Sequence, residues 1–187
     1  MRPSLLIAFV LALMLSGCAS SGWLSPESAA LLRNPPPQTV AKIRAVTPAA
    51  LRWYGDVEAR YWPLGLPLSD KYRAFARRVG IGDPEKVRVL GVSTFPLPAD
   101  PALRRLARKL DFASVYTRAR TFGHVILTQP GFETDDRTIT HELVHIAQFE
   151  RLGRDRIIPR LLLELDLLGY SSAPLENEAY RLEREGL

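Results

Sequence analysis

The alternation of apolar and polar positions divides the chain into a short apolar leader, a proline-rich connection and a longer patterned region. Behind Met1-Arg2, Leu5 to Leu15 is an unbroken apolar run of 11 residues. It is too short to span a bilayer as a mature helix and has the length of a secretory signal core. Residues 19 to about 38 carry Ser20-Ser21-Gly22, Pro26 and Pro35-Pro36-Pro37, a composition that predicts a semi-extended tether. Thr47-Pro48 has the form of a capped helix start and predicts a helix bearing Leu51, Trp53, Tyr54, Val57 and Tyr61. Ser69 predicts the cap of a second helix through Tyr72, Phe75, Ala76 and Val79, stopped by Gly80.

Lys86 to Ser93, with Val87, Val89 and Val92, predicts a strand, and Asp100-Pro101 opens a helix with Leu103, Leu106, Ala107 and Leu110 on one face. Ser114 to Arg120 alternates weakly. Phe122 to Thr128 predicts one strand closed by Pro130-Gly131. Asp135 or Asp136 then caps a helix to about Leu152, ended by Gly153. A further apolar helix is expected over Ile157 to Leu168, with Pro159 in its first turn, followed by a turn over Gly169 to Ala173 and a terminal helix from Pro174. Helices around a small sheet make the expected class α+β, divided as a leader (1–17), a tether (18–40) and one domain (41–187).

Composition supports this and narrows the partners. The 187 residues are 47% apolar and 24% charged, which is globular, and no internal repeat is visible. The formal charge is +5, from 25 Lys+Arg against 20 Asp+Glu, but the basic residues are scattered among acidic ones. A nucleic-acid footprint would cluster them beside aromatic platforms, so no nucleic-acid partner is expected. One cysteine excludes a disulfide framework and any four-cysteine metal site.

Of three histidines, two fall in His141-Glu142-Leu143-Val144-His145. Residues four apart on a helix share a face, so both imidazoles can reach one zinc ion, while Glu142 is placed to take a proton from a water at that ion. A catalytic zinc site keeps three protein ligands and an open position. The candidates for the third are Glu164, Asp166, Glu176 and Glu178. Glu164 and Asp166 read more simply as the wet face of a leucine-rich helix, and His124 as a strand residue bonded to a neighbour. Trp53 and Trp62 read as core or rim.

From Gly123 to Glu183 the chain resembles the gluzincin metallopeptidases, on the HExxH pattern and a later Glu-x-x-Ala, here Glu176-Asn177-Glu178-Ala179. The resemblance implies a zincin-like fold, a small sheet with an active-site helix and surrounding helices, and Zn2+ held by His141, His145 and Glu176. Thermolysin-like members show Asn-Glu-Ala instead, which points to Glu178 as the alternative third ligand. Helical geometry leaves both open, because the two glutamates flank the Leu175/Ala179/Leu182 face on opposite sides. Tyr180 stands where the family often has an acidic residue, so the partner of a ligand histidine is expected from elsewhere. His141 to Gln148 and the closing Pro-Leu-Glu-x-Glu-Ala segment also look like small bacterial gluzincin-like proteins. Similarly placed tyrosines in some gluzincins donate to the oxyanion, which makes Tyr170 a catalytic candidate beside the plainer reading of a packing tyrosine.

Leu15-Ser16-Gly17-Cys18 resembles the lipobox of bacterial lipoproteins. That resemblance implies acylation of Cys18, a membrane-lipid anchor and, with Ala19 rather than aspartate next, the outer membrane facing the periplasm. The expected function is zinc-dependent hydrolysis of peptide bonds in peptide or protein substrates, with Glu142 as base. The alternative is a non-catalytic zinc-binding envelope scaffold or peptide-binding module.

Overall fold

In a computed structural model of the chain, residues 24–186 are described, apart from 113, 115 and 116. The leader, Cys18 and the start of the tether lie outside the described residues. Among those described, seven α-helices and four short strands form an α+β fold.

The region expected to be a tether is helical. Ser25 caps α1 (Pro26–Arg33) by accepting the Ser28 N–H at 3.1 Å. The proline run then leads directly into α2 (Pro37–Tyr61), which begins ten residues before Thr47 and passes through Pro48. Ile43, Val46, Ala50, Tyr54 and Val57 form one buried stripe across that proline. Pro48 is exposed, so the carbonyl it frees can be hydrated, and the packed stripe outweighs the local break. Thr47 does not cap; its hydroxyl donates to the Ile43 carbonyl of the preceding turn at 2.7 Å.

The sheet contains β1 (Leu66–Pro67), β2 (Arg88–Gly91), β3 (Ala119–Phe122) and β4 (Val125–Thr128) in the order β1-β2-β4-β3. β2 and β4 are parallel and the other pairs antiparallel. The apolar run expected as one strand is therefore half of a hairpin, and of the preceding segment Ala119 and Arg120 belong to β3. Phe122 pairs with Val125 across the two-residue loop Gly123-His124. Gly123 has φ +59°, and a Cβ there would lie 2.2 Å from the Glu58 carboxyl, so only glycine fits the turn. Glu58 in turn accepts the His124 N–H at 2.8 Å and a bond from Arg154.

Helices cover both faces of the sheet. Val125 and Leu127 point into a core shared with α2 and α6 (Arg154–Leu168), where Tyr54, Phe122, Ile158 and Leu162 meet. Ile126 points the other way, to α3 (Asp70–Arg78) and α5 (Asp136–Leu152), among Phe75, Ile139 and Leu143. Strand β4 is thus buried on both sides, which is why it lacks alternation. The short α4 (Pro101–Lys109) presents Leu103, Leu106 and Ala107 to the first core, its start capped by Asp100 at 2.8 Å. α6 starts at Arg154, so Pro159 falls in its second turn. The last helix, α7 (Pro174–Glu183), packs along α5.

Candidate metal centre

Helix α5 is built to hold one face rigidly. Asp135 caps it at the Thr138 N–H (2.9 Å), Gly153 ends it with φ +78°, and Ile139, Leu143 and Ile146 are fully buried. That leaves His141 and His145, one turn apart, facing α7. Their Nε2 atoms are 3.2 Å apart, and Glu176 Oε2 lies 3.4 Å from the first and 3.6 Å from the second. Three ligand atoms at 2.0–2.1 Å from a common ion with tetrahedral angles stand about 3.3–3.4 Å apart. The observed triangle matches that spacing, and His141, His145 and Glu176 could hold a metal ion.

Two further observations fit a cation. Glu176 is 3% exposed, and its Oε2 is buried without a hydrogen-bond partner; such an orphan is costly unless something positive meets it. Both rings are also oriented from behind. Gln148, fully buried, donates its amide N–H groups to the Leu175 carbonyl (2.9 Å) and to Glu178 (3.0 Å). Its oxygen is left to accept the His145 Nδ1–H at 2.9 Å, which turns Nε2 toward Glu176. Glu183 does the same for His141, accepting its Nδ1–H at 2.8 Å, and is anchored by Arg137 at 2.8 Å. Burial alone would lower the His141 pKa, but Glu176 and Glu183 overcome it and push it up to about 10. Burial likewise works against the Glu176 charge, and the two imidazoles win, holding its carboxyl well below the usual range.

Glu183 supplies the histidine partner that the Tyr180 position lacks, and Tyr180 instead lays its ring against His141 (centroids 4.7 Å). The signal for Glu183 is periodicity: Glu176, Ala179 and Glu183 fall on one face of α7. Replacing Glu183 by Gln should weaken binding of a divalent metal at this cluster roughly 10- to 100-fold, as loss of an outer-shell partner does. Competition against a chromophoric chelator measures this, and unchanged affinity would show that the contact orients nothing.

The structure separates the remaining candidates. Glu178 is turned away from the histidines and takes a two-pronged bond from Arg151, 2.8 Å at each nitrogen. Glu164 is not on a wet face. It is 2% exposed, bonded to Arg160 at 2.6 Å, and its Oε2 accepts the Leu175 N–H at 2.9 Å. Ala173 has no side-chain oxygen to cap α7, and Glu164 supplies that acceptor from the neighbouring helix. Asp166 is covered too, by Lys42 and Lys109. His124 lies in the hairpin turn, bonded to Glu150 at 2.9 Å. Trp53 packs edge-on against Tyr54, Phe112 and Phe122, whereas Trp62 is exposed and donates to the Lys86 carbonyl.

The cluster opens into a cavity of about 490 Å3 walled by α5, α7 and strand β3. Glu142, 7% exposed, lines it, and its Oε2 accepts the Thr121 hydroxyl at 2.6 Å. Arg120 and Tyr170 line the cavity as well, with the Tyr170 hydroxyl accepting a bond from Arg120. Thr121 and Arg120 had no signal in the sequence, since a strand folds in from afar to place them. Fold and site together define an α+β protein with a two-histidine, one-glutamate cluster on a helix pair beside a sheet edge. Compared with protein families, with curated proteins and with solved structures, the chain matches none.

Proposed function

We propose that the chain is a zincin-like, zinc-dependent hydrolase of peptide bonds, with zinc held by His141, His145 and Glu176. The observation that carries the reading is a buried carboxylate beside the ligand triangle but outside it: Glu142, steadied by Thr121 and lining the cavity. A site that only held a metal for structure would have no use for a base there. Bound at this cluster, zinc would act as a Lewis acid, acidifying a water molecule and polarising a substrate carbonyl.

The chain's own groups supply the rest. Thr121 holds one oxygen of Glu142, which leaves the other to accept a proton from water and return it to the departing amine. Tyr170 accepts from Arg120, so its own O–H remains to donate to the developing oxyanion. Strand β3, not the interior β4, is the edge of the sheet that lines the cavity, β1 being the opposite edge, and an extended substrate can pair along β3 toward Glu142. Anchoring through acylated Cys18, on the outer membrane facing the periplasm, belongs to the same proposal. No helix among the described residues is long and apolar enough to cross a membrane.

The test is incubation of the zinc-loaded full chain with a mixed-sequence peptide library, read by mass spectrometry. We expect zinc-dependent cleavage that a chelator abolishes and added zinc restores. Stoichiometric zinc without cleavage would overturn the hydrolase.

A further inference from the structure

Three arginines line the cavity: Arg118, exposed and over the Phe132 ring at 5.2 Å, Arg137, and Arg120, the one that reaches the Tyr170 hydroxyl. Arg120 leaves edge strand β3 half-buried, its guanidinium against the rings of Phe112 (4.3 Å to the centroid) and Tyr170 (5.4 Å). Its Nε donates to the Phe112 carbonyl at 3.2 Å. Nη2 donates to the Asp111 carbonyl at 3.3 Å and the Thr117 hydroxyl at 3.2 Å, and Nη1 to the Tyr170 hydroxyl. All four acceptors are neutral, three of the bonds are long, and a second Nη1 N–H is left over. Arg137, on the same cavity wall, is by contrast paired with Glu183 at 2.8 Å. Among the described residues no carboxylate forms an ion pair with Arg120.

The guanidinium is therefore aimed but not neutralised. Burial works against its charge, and the groups that offset this include Glu142 and Glu176 across the cavity. With a divalent cation at the histidines, Glu176 becomes one of its ligands, and Arg120 is left as positive charge facing the space beside Glu142. A guanidinium beside two aromatic rings with one N–H still to donate can receive a carboxylate oxygen through a charge-assisted bond. A cavity of about 490 Å3 is of the size that encloses a small ligand, which suits a short carboxylate-bearing piece of a substrate.

We propose that Arg120 is the receptor for a substrate carboxylate, so that the site selects peptides presenting a free carboxylate beside the bond to be cut. This rests on the hydrolase reading for the cut, but not for the binding. The carboxylate has two sources, the chain terminus or an Asp or Glu side chain, and the arms of the test separate them.

The test uses the zinc-loaded full chain with Glu142→Gln, which blocks turnover, and calorimetric titration with N-acetylated tripeptides. Each peptide is prepared as free acid and as terminal amide, and the amides with Asp or Glu in place of Asn or Gln. We expect a carboxylate-bearing form to bind roughly 10- to 100-fold more tightly than its neutral counterpart, the worth of a charged hydrogen bond. Preference for the free acid assigns the terminus, and preference for Asp or Glu amides assigns the side chain. Adding Arg120→Gln should remove the preference, while Arg120→Lys should keep part of it. Equal binding of charged and neutral forms overturns the assignment, and that comparison needs no Arg120 variant to fold. A preference that survives Arg120→Gln overturns it too. Selective binding with no cleavage by the wild-type chain sinks the hydrolase and leaves Arg120 standing. Cleavage of acids and neutral analogues at equal kcat/KM, with equal binding, does the reverse.

Discussion

If zinc is held as proposed, replacing Glu176 by Ala should abolish its binding. The expected loss of affinity exceeds the roughly 10- to 100-fold that follows removal of an outer partner such as Glu183, because a ligand is lost rather than an orientation. The same change at Glu178 should leave zinc binding unaltered, since that carboxylate is engaged by Arg151 and Gln148. Metal content after dialysis against a weak chelator reads both. The metal-free protein carries a control on folding. Without metal, the two imidazoles hold the Glu176 carboxylate ionised, so the alanine variant should melt somewhat below the wild type yet still unfold in one cooperative transition, which thermal melting of both metal-free proteins reads. A variant that loses metal only because it has unfolded would fail this check. Retention of zinc by Glu176→Ala, with loss in Glu178→Ala, would move the third ligand to the other glutamate.

That pair shows where the sequence was legible and where it stopped. Helix α5 could be read nearly to the residue, because cap, apolar stripe and glycine stop are all local signals that agree. His141, Glu142 and His145 were legible with it, since one helix face needs no tertiary knowledge. Glu176 and Glu178 could not be told apart by periodicity, because both flank the packed face of α7. The choice is made by α5, where Gln148 and Arg151 capture Glu178 and leave Glu176 to the histidines.

Errors in the fold have the same origin. Pro48 and the triple proline looked like breaks because each was weighed locally, while the buried stripe from Ile43 to Val57 holds the helix together from outside. The hairpin was hidden because β4 is buried on both faces, so Val125 to Thr128 offers no alternation to mark a new strand beyond Gly123. Glu164 looked solvated because charge in an apolar helix usually is, and its partner, the Leu175 N–H, comes from the next helix. Arg120 and Thr121 belong with these, since strand pairing alone carries them to the cavity.

Replacing Glu142 by Gln should then separate holding the metal from using it. The amide has the size and shape of the carboxylate, and the Thr121 hydroxyl, now 2.6 Å from Oε2, can bond an amide oxygen as well. Packing in the 7% exposed position is therefore preserved, and zinc content should equal that of the wild type, because the side chain lies outside the ligand triangle. What the amide cannot do is accept a proton. A positioned general base is worth roughly 100- to 10,000-fold in rate, and kcat for any peptide the wild type cleaves should fall by that order. KM should change little, since no binding contact to substrate is assigned to this residue. Parallel measurement of zinc stoichiometry and single-turnover rate decides the matter. Full metal with turnover intact would remove Glu142 from the chemistry, and a fall in zinc matching the fall in rate would make it a structural support for the histidine face.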